Sequence, residues 1–192
     1  MRTVTYGAAC SLDGFIAGAD GSIDWLHFSK DVSAIMRKSM SGVDTMLMGR
    51  KTWEDAVARG GGGGGGGGSP YDAVTTFVFS RTLTQIDAPG VQLVSEDAGE
   101  FVRGLKALDG KGKICVLGGG LLATSLFDAG VIDEIGINIH PILLGSGVPL
   151  FGDARRRIKL ELTECRAIDG GCVMAEYRVT EGTKDTQRKK KH

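Results

Sequence analysis

The chain has 192 residues, a length that fits one domain with a sizeable core. Lysine plus arginine equal aspartate plus glutamate at 23 each, so the bulk charge points to neither a nucleic-acid nor a membrane partner. The longest apolar stretches are strand-sized, far short of a membrane span.

From the N-terminus, Met1-Arg2 leads into a strand-like segment, Thr3 to Cys10, without the apolar core and small-residue cleavage site of a signal peptide. A cytoplasmic protein is expected. Ser11 to Trp25 is punctuated by Asp13-Gly14, Gly18 and Asp20-Gly21 and reads as a mobile surface loop. Ser29 can cap a helix whose apolar face is Val32, Ile35, Met36 and Met40. Val43 to Met48 is the next strand. Gly49-Arg50-Lys51-Thr52 turns it into a second helix, with Thr52 as the expected cap and Trp53, Ala56 and Val57 on the inner face. Gly60 to Gly68, inside a 60–70 Gly-rich loop, cannot bury apolar surface or restrict its own backbone.

Val74 to Phe79, ending at Ser80-Arg81, and Val91 to Val94 are further strands. Ala98 to Leu108 is helical, with Phe101, Val102, Leu105 and Leu108 inward. Ile114 to Leu117 is a buried strand, and Gly118-Gly119-Gly120 opens a helix from Leu121 to Ala129. Backbone amides at such a helix N-terminus form an anion site suited to a pyrophosphate. Ile135, Ile137 and Ile139 alternate with Gly136, Asn138 and His140. Ile158, Leu160 and Leu162, then Val173, Ala175, Tyr177 and Val179, form two more alternating runs joined by an Asp169-Gly170-Gly171 turn. Strand–helix alternation closed by a hairpin defines an α/β domain over 1–180, its sheet mostly parallel with an antiparallel C-terminal edge. Residues 181–192 read as a disordered basic tail. Of the four cysteines, Cys10, Cys115, Cys165 and Cys172, none forms a CxxC pair, and with three scattered histidines there is no metal-ligand spacing. Cys165 and Cys172 could face each other across the hairpin, but free core thiols are expected in a reducing compartment.

Four motifs occur in order: Ser11-Leu12-Asp13-Gly14-Phe15-Ile16-Ala17, Met48-Gly49-Arg50-Lys51-Thr52-Trp53-Glu54, Val78-Phe79-Ser80-Arg81, and the Gly118-Gly119-Gly120 block followed by Asp133-Glu134 and Pro141 to Phe151. The set resembles the dihydrofolate reductase superfamily, and within it the reductase domain of riboflavin-biosynthesis deaminase/reductases and their stand-alone relatives. The resemblance implies a dihydrofolate-reductase-like three-layer α/β fold and an NADPH-dependent reductase of a small heterocycle (pteridine, folate-like or pyrimidine). The alternative is a non-catalytic NADP(H)-binding protein of the same fold.

It implies Gly49, Arg50, Lys51 and Thr52 at the first cofactor turn and Ser80 and Arg81 at the second, beside the adenosine. Cationic, hydrogen-bonding groups there suit a 2′-phosphate and so NADPH rather than NADH. Gly118, Gly119 and Gly120 would pack against the cofactor, with Leu121 and Leu122 continuing along it. Ala9, beside Ala8, would let the nicotinamide carboxamide reach the first strand. On the substrate side the resemblance points to Trp25, Asp13 and Asp31 as substrate-binding residues, with Asp31, just after Trp25 and His27, and Asp13 the acidic residues for catalysis. Only Arg59 precedes the glycine run, where a folate-binding enzyme clamps its substrate's glutamate tail. No deaminase zinc signature is present. A homodimer is the assembly expected from the riboflavin-type relatives.

Overall fold

The structure is a computed structural model that describes residues 1–59, 74–110, 112–153, 155 and 157–180. The glycine run, the rest of its 60–70 loop and the basic tail lie outside the described residues.

The chain opens with strand β1 (Val4–Ser11), a short β2 (Phe15–Ala17), helix α1 (Lys30–Met40), β3 (Val43–Gly49) and α2 (Arg50–Ala58). Next come β4 (Thr75–Phe79), β5 (Val91–Val94), α3 (Ala98–Ala107), β6 (Lys113–Leu117), α4 (Gly120–Asp128) and β7 (Glu134–His140). A two-residue β8 (Val148–Pro149) precedes the hairpin of β9 (Lys159–Ile168) and β10 (Cys172–Thr180). The main sheet has the order β5-β4-β3-β6-β1-β7-β10-β9. Pairing is parallel from β5 to β7 and antiparallel for β7–β10 and β10–β9. This is the three-layer α/β arrangement expected from the sequence.

Period-2 alternation sorts the side chains between the two faces. Val4 and Tyr6 of β1, Leu47 of β3 and Val116 of β6 pack with Val102 of α3 and Leu126 and Phe127 of α4 in the larger core. Met46, Met48 and Val78 point to the other face, where Trp53 of α2 and Met40 of α1 join them. Two helices carry side-chain caps: the Ser29 hydroxyl accepts from Val32 N–H at 3.2 Å, and the Asp97 carboxylate from Glu100 N–H at 2.9 Å.

At the edge opposite the strand C-termini, Lys106 Nζ donates to both Asp133 carboxylate oxygens (2.7 and 2.6 Å) and to the Val131 carbonyl at 3.0 Å. Asp133 also accepts from Val4 N–H at 2.9 Å. One acidic residue therefore ties α3, β1 and the entry to β7 together.

Several expectations change. Leu108 ends α3 as its C-cap and is exposed, as are Met36 and Val57, so the inward faces of these helices are narrower than their spacing implies. Leu160 and Leu162 are exposed because β9 is the outermost strand. Cys165 lies opposite Ala175 and is exposed, whereas Cys172 lies opposite Ile168 and is buried. The two thiols are therefore in different rungs, and only Cys172 is a core thiol. The Ser11–Trp25 loop contains β2, which pairs with β8 in a separate two-stranded sheet.

Candidate functional site

The parallel strands β3 and β6 are neighbours, so the turns leaving their C-terminal ends emerge side by side. Each turn starts a helix on glycine. Gly49 is the N-cap of α2 and Gly119 the N-cap of α4, and neither has a side-chain cap. Two sets of free helix-start N–H donors thus share one edge of the sheet, a concentration of positive dipole suited to a diphosphate.

Thr52 is not the cap that its sequence position implied. It lies in the first turn of α2, and its hydroxyl accepts from Gly119 N–H at 3.3 Å, joining the two helix starts. Gly118 has φ +80°, and a Cβ there would run into the Thr52 side chain. A Cβ at Gly49 would meet nothing within 4 Å, so that backbone is open to approach. Gly120 is buried against the Pro149 and Leu150 carbonyls. Leu121 is exposed in the first turn of α4, and Leu122 packs on the larger core.

The cations divide into two kinds. Arg50 Nη1 is bound to Glu54 (3.1 and 3.3 Å) along the same helix. Lys51 and Arg81 are exposed and make no hydrogen bond or ion pair among the described residues. Ser80 is buried and its hydroxyl accepts from Thr82 N–H (3.1 Å) and Leu83 N–H (3.0 Å), so it shapes the turn that presents Arg81. The residues present fit a phosphorylated dinucleotide: uncapped amides for its diphosphate, free cations for a further phosphate.

Beside this cradle, α2 covers β3 and β4 while the start of α1 leans on the hairpin turn at Asp169–Gly171. Between them the sheet face is floored by Gly7 and Ala9 of β1 and Gly136 and Asn138 of β7, aligned in register and half-buried. Ala8 points the other way, onto the larger core.

Asp13 anchors one rim. Its carboxylate accepts from the Ser11 hydroxyl (2.6 Å), Leu144 N–H (3.1 Å) and Gly145 N–H (2.8 Å). The Ser11 hydroxyl first, then the Gly145 and Leu144 amides, hold its carboxyl below the usual carboxylate range. It is therefore an ionised tie between the β1 turn and the β7–β8 loop. Leu150 N–H to the Gly14 carbonyl (2.8 Å) is a second tie. Pro149 of β8 and Leu150 just after it in turn pack on Gly120. Tyr6, fully buried, has its hydroxyl near the Gly118 and Leu150 carbonyls (3.2 and 3.3 Å). Burial, then the nearby Cys10, raises its pKa far above neutral, so it remains a donor. Its strand position alone marks Tyr6 only as core.

Asp31 is exposed in the first turn of α1, where its carboxylate accepts from Asp169 N–H at 3.3 Å. It lines a groove of about 230 Å³ with Ile35, Lys38, Arg166 and Ile168, between α1 and β9 rather than beside Gly49 and Gly119. Trp25 packs edge-on to His140, ring centroids 5.4 Å apart, and its Nε1 is buried without a partner among the described residues. His140 is itself buried. Its Nδ1 accepts from His27 N–H (3.3 Å), and its Nε2 lies 3.2 Å from the Asn138 amide nitrogen position. Burial, then His27, lowers its pKa. Asn138 and His140 are residues that sequence reasoning missed; their signal was two polar side chains at alternating positions in an apolar strand.

Fold and site together define an α/β protein of the dihydrofolate-reductase-like class. The model of the RibD C-terminal domain matches residues 2–174, and the chain belongs to that family. An uncharacterized protein of Bacillus subtilis strain 168, YyaP, is 32% identical over 182 residues, 92% of this chain and 95% of that one. Among solved structures, a protein of Shewanella sp. PV-4 whose name places it provisionally in riboflavin biosynthesis has a TM-score of 0.76 at 27% identity, covering 94% of this chain and 100% of its own. The fold is also that of Enterococcus faecalis dihydrofolate reductase in complex with NADP(H), with a TM-score of 0.66 at 17% identity over 93% of this chain and 97% of that one.

Proposed function

We propose that this protein is an NADPH-dependent reductase of a small heterocycle. The observation that carries the reading is the pair of uncapped glycine helix starts, Gly49 and Gly119, bridged by Thr52, with Lys51 and Arg81 exposed and unpaired among the described residues. Backbone amides of the two starts would hold the diphosphate, and Lys51, Arg81 and, once released from Glu54, Arg50 would hold the 2′-phosphate. Membership of a reductase-domain family and the NADP(H) bound by the E. faecalis enzyme support the same assignment.

When bound, the reduced nicotinamide supplies a hydride; everything else is the work of the chain. The small residues Gly7, Ala9 and Gly136 would let flat rings approach the sheet closely. A C=N or C=O carbon of the substrate accepts the hydride, its heteroatom takes up the electron pair, and a proton from water or from Asp31 neutralises it. Asp13, ionised and tied to two loop amides, lines the substrate side and acts by holding that rim. Asp31 has a single 3.3 Å contact, which an arriving substrate can replace. A homodimer belongs to the same reading, with the exposed β9 edge and its Leu160 and Leu162 as the available surface.

The test is NADPH oxidation followed at the nicotinamide absorbance across pteridines, pyrimidinones and dihydrofolate. Turnover with one class is expected, and Asp31→Asn should lower kcat while leaving NADPH affinity unchanged. NADPH binding with no oxidation of any class would leave only a binding protein.

A further inference from the structure

Asn138 and His140 lie on the same face of the sheet as Gly7, Ala9 and Gly136, at alternate positions of β7, and their hydrogen bonds can be assigned by elimination. The His27 amide can only donate, and the buried Cys172 thiol, 3.5 Å from the same nitrogen, keeps its own proton to give, so His140 Nδ1 accepts. A neutral imidazole carries its one proton on the other nitrogen, so Nε2 is the donor. Burial and the neighbouring His27 keep the ring neutral. The Asn138 atom 3.2 Å from Nε2 must then be its carbonyl oxygen, not its nitrogen, because two donors cannot face each other. The other end of the amide is buried and has no partner among the described residues. With the amide turned, that end is the NH2 group. A second orphaned donor, Trp25 Nε1–H, lies in the same cluster. Buried donors left unpaired cost about 1–3 kcal/mol each, so two in one side-chain cluster call for an acceptor.

We infer that Asn138, its amide oriented by His140, is the residue that selects the substrate, and that it selects a heterocycle presenting a ring carbonyl rather than a ring amino group. The assignment rests on the reductase reading, which supplies this face of β1 and β7 as the substrate site. His140 is a positioning residue: it touches Asn138 and fixes which end of the amide faces the ligand. Trp25 supplies the second donor. Both orphaned atoms are closed off from solvent, so the ligand reaches them only when the Trp25 indole, which packs edge-on to His140, turns while the His27 amide stays on His140 Nδ1. Binding therefore moves an indole, which gives an optical signal independent of turnover.

The experiment uses the full chain saturated with NADPH, titrated with pteridine-2,4-dione and separately with 2,4-diaminopteridine, followed by calorimetry and by Trp25 fluorescence in a Trp53→Phe background. The wild type is expected to bind the dione at least about tenfold more tightly than the diamine. Asn138→Asp has the same shape but only acceptors; it keeps the bond to His140 Nε2–H and should reverse the preference. Asn138→Ser, too short to reach, should abolish the preference without reversing it, and covers the case in which the Asp variant does not fold. An unchanged preference in a folded, NADPH-binding variant overturns the assignment and leaves the reductase reading intact. A wild type that binds NADPH yet favours the diamine, or binds neither pteridine, overturns it as well. Failure to bind NADPH at all overturns the reductase reading, and this assignment with it.

Discussion

Replacing Gly118 by alanine tests the cofactor cradle where it is tightest. Gly118 has φ +80°, a conformation that costs an L-residue about 1–2 kcal/mol. The new methyl would also be forced against Thr52 Oγ1, Cγ2 and Cβ, and overpacking of this kind typically costs about 1–3 kcal/mol. The expected loss is therefore about 3 kcal/mol, read as a lower urea midpoint at unchanged m-value. Thr52→Ala alone gives up one long hydrogen bond to Gly119 N–H, worth about 1 kcal/mol. Because it also removes two of the three clashing atoms, the double variant should recover about 1–2 kcal/mol relative to the sum of the single costs. Gly118→Ala should weaken NADPH binding, since the methyl pushes Thr52 aside and with it the bridge between the two helix starts. Strictly additive costs, or a Gly118→Ala cost below about 0.5 kcal/mol, would refute the close approach of the two helix starts.

Lys106→Met leaves Asp133 without its cation. Breaking a fully buried pair costs about 3–5 kcal/mol, but the Asp133 side chain is 42% exposed, so a loss of about 2 kcal/mol is expected in urea unfolding. His140 is neutral when folded, its pKa lowered from 6.5, whereas the unfolded chain takes up a proton near that value. Its contribution to stability is thus complete above pH 6.5 and is lost as pH falls from there toward the lowered folded value; His140→Gln should flatten that part of the stability–pH curve. Asp13→Asn replaces one acceptor oxygen with an NH2 that opposes a loop N–H. Amide exchange at Leu144 and Gly145 should accelerate, and NADPH should bind more weakly through the loosened support of Gly120. Unchanged exchange at both amides would contradict the anchoring role.

The elements that position the cradle were legible because each is encoded locally. The apolar run before Gly118, the alternation of Ile135, Ile137 and Ile139, and the Asp169-Gly170-Gly171 turn each specify their own conformation. Contacts between distant segments were not. The pairing of Phe15–Ala17 with Val148–Pro149 joins two short segments whose periodicity is too brief to register. Thr52 looked like a cap because hydroxyls at helix starts usually are, but here it serves the neighbouring helix, 67 positions along the chain. Asp31 turns to a hairpin 138 positions away, which no local pattern encodes. Asn138 and His140 could be flagged as polar, but the direction of their hydrogen bonds depends on His27, more than a hundred residues upstream. Outward Leu160 and Leu162 follow from β9 being an edge strand, a fact of sheet order rather than of alternation.

The most direct test of the central claim is a calorimetric titration of the purified protein with NADPH and, separately, with NADH at low and high salt. The account predicts NADPH bound at least about tenfold more tightly, with the advantage shrinking as salt screens the 2′-phosphate from Lys51 and Arg81. Equal affinity for the two, or no binding of either, would contradict it.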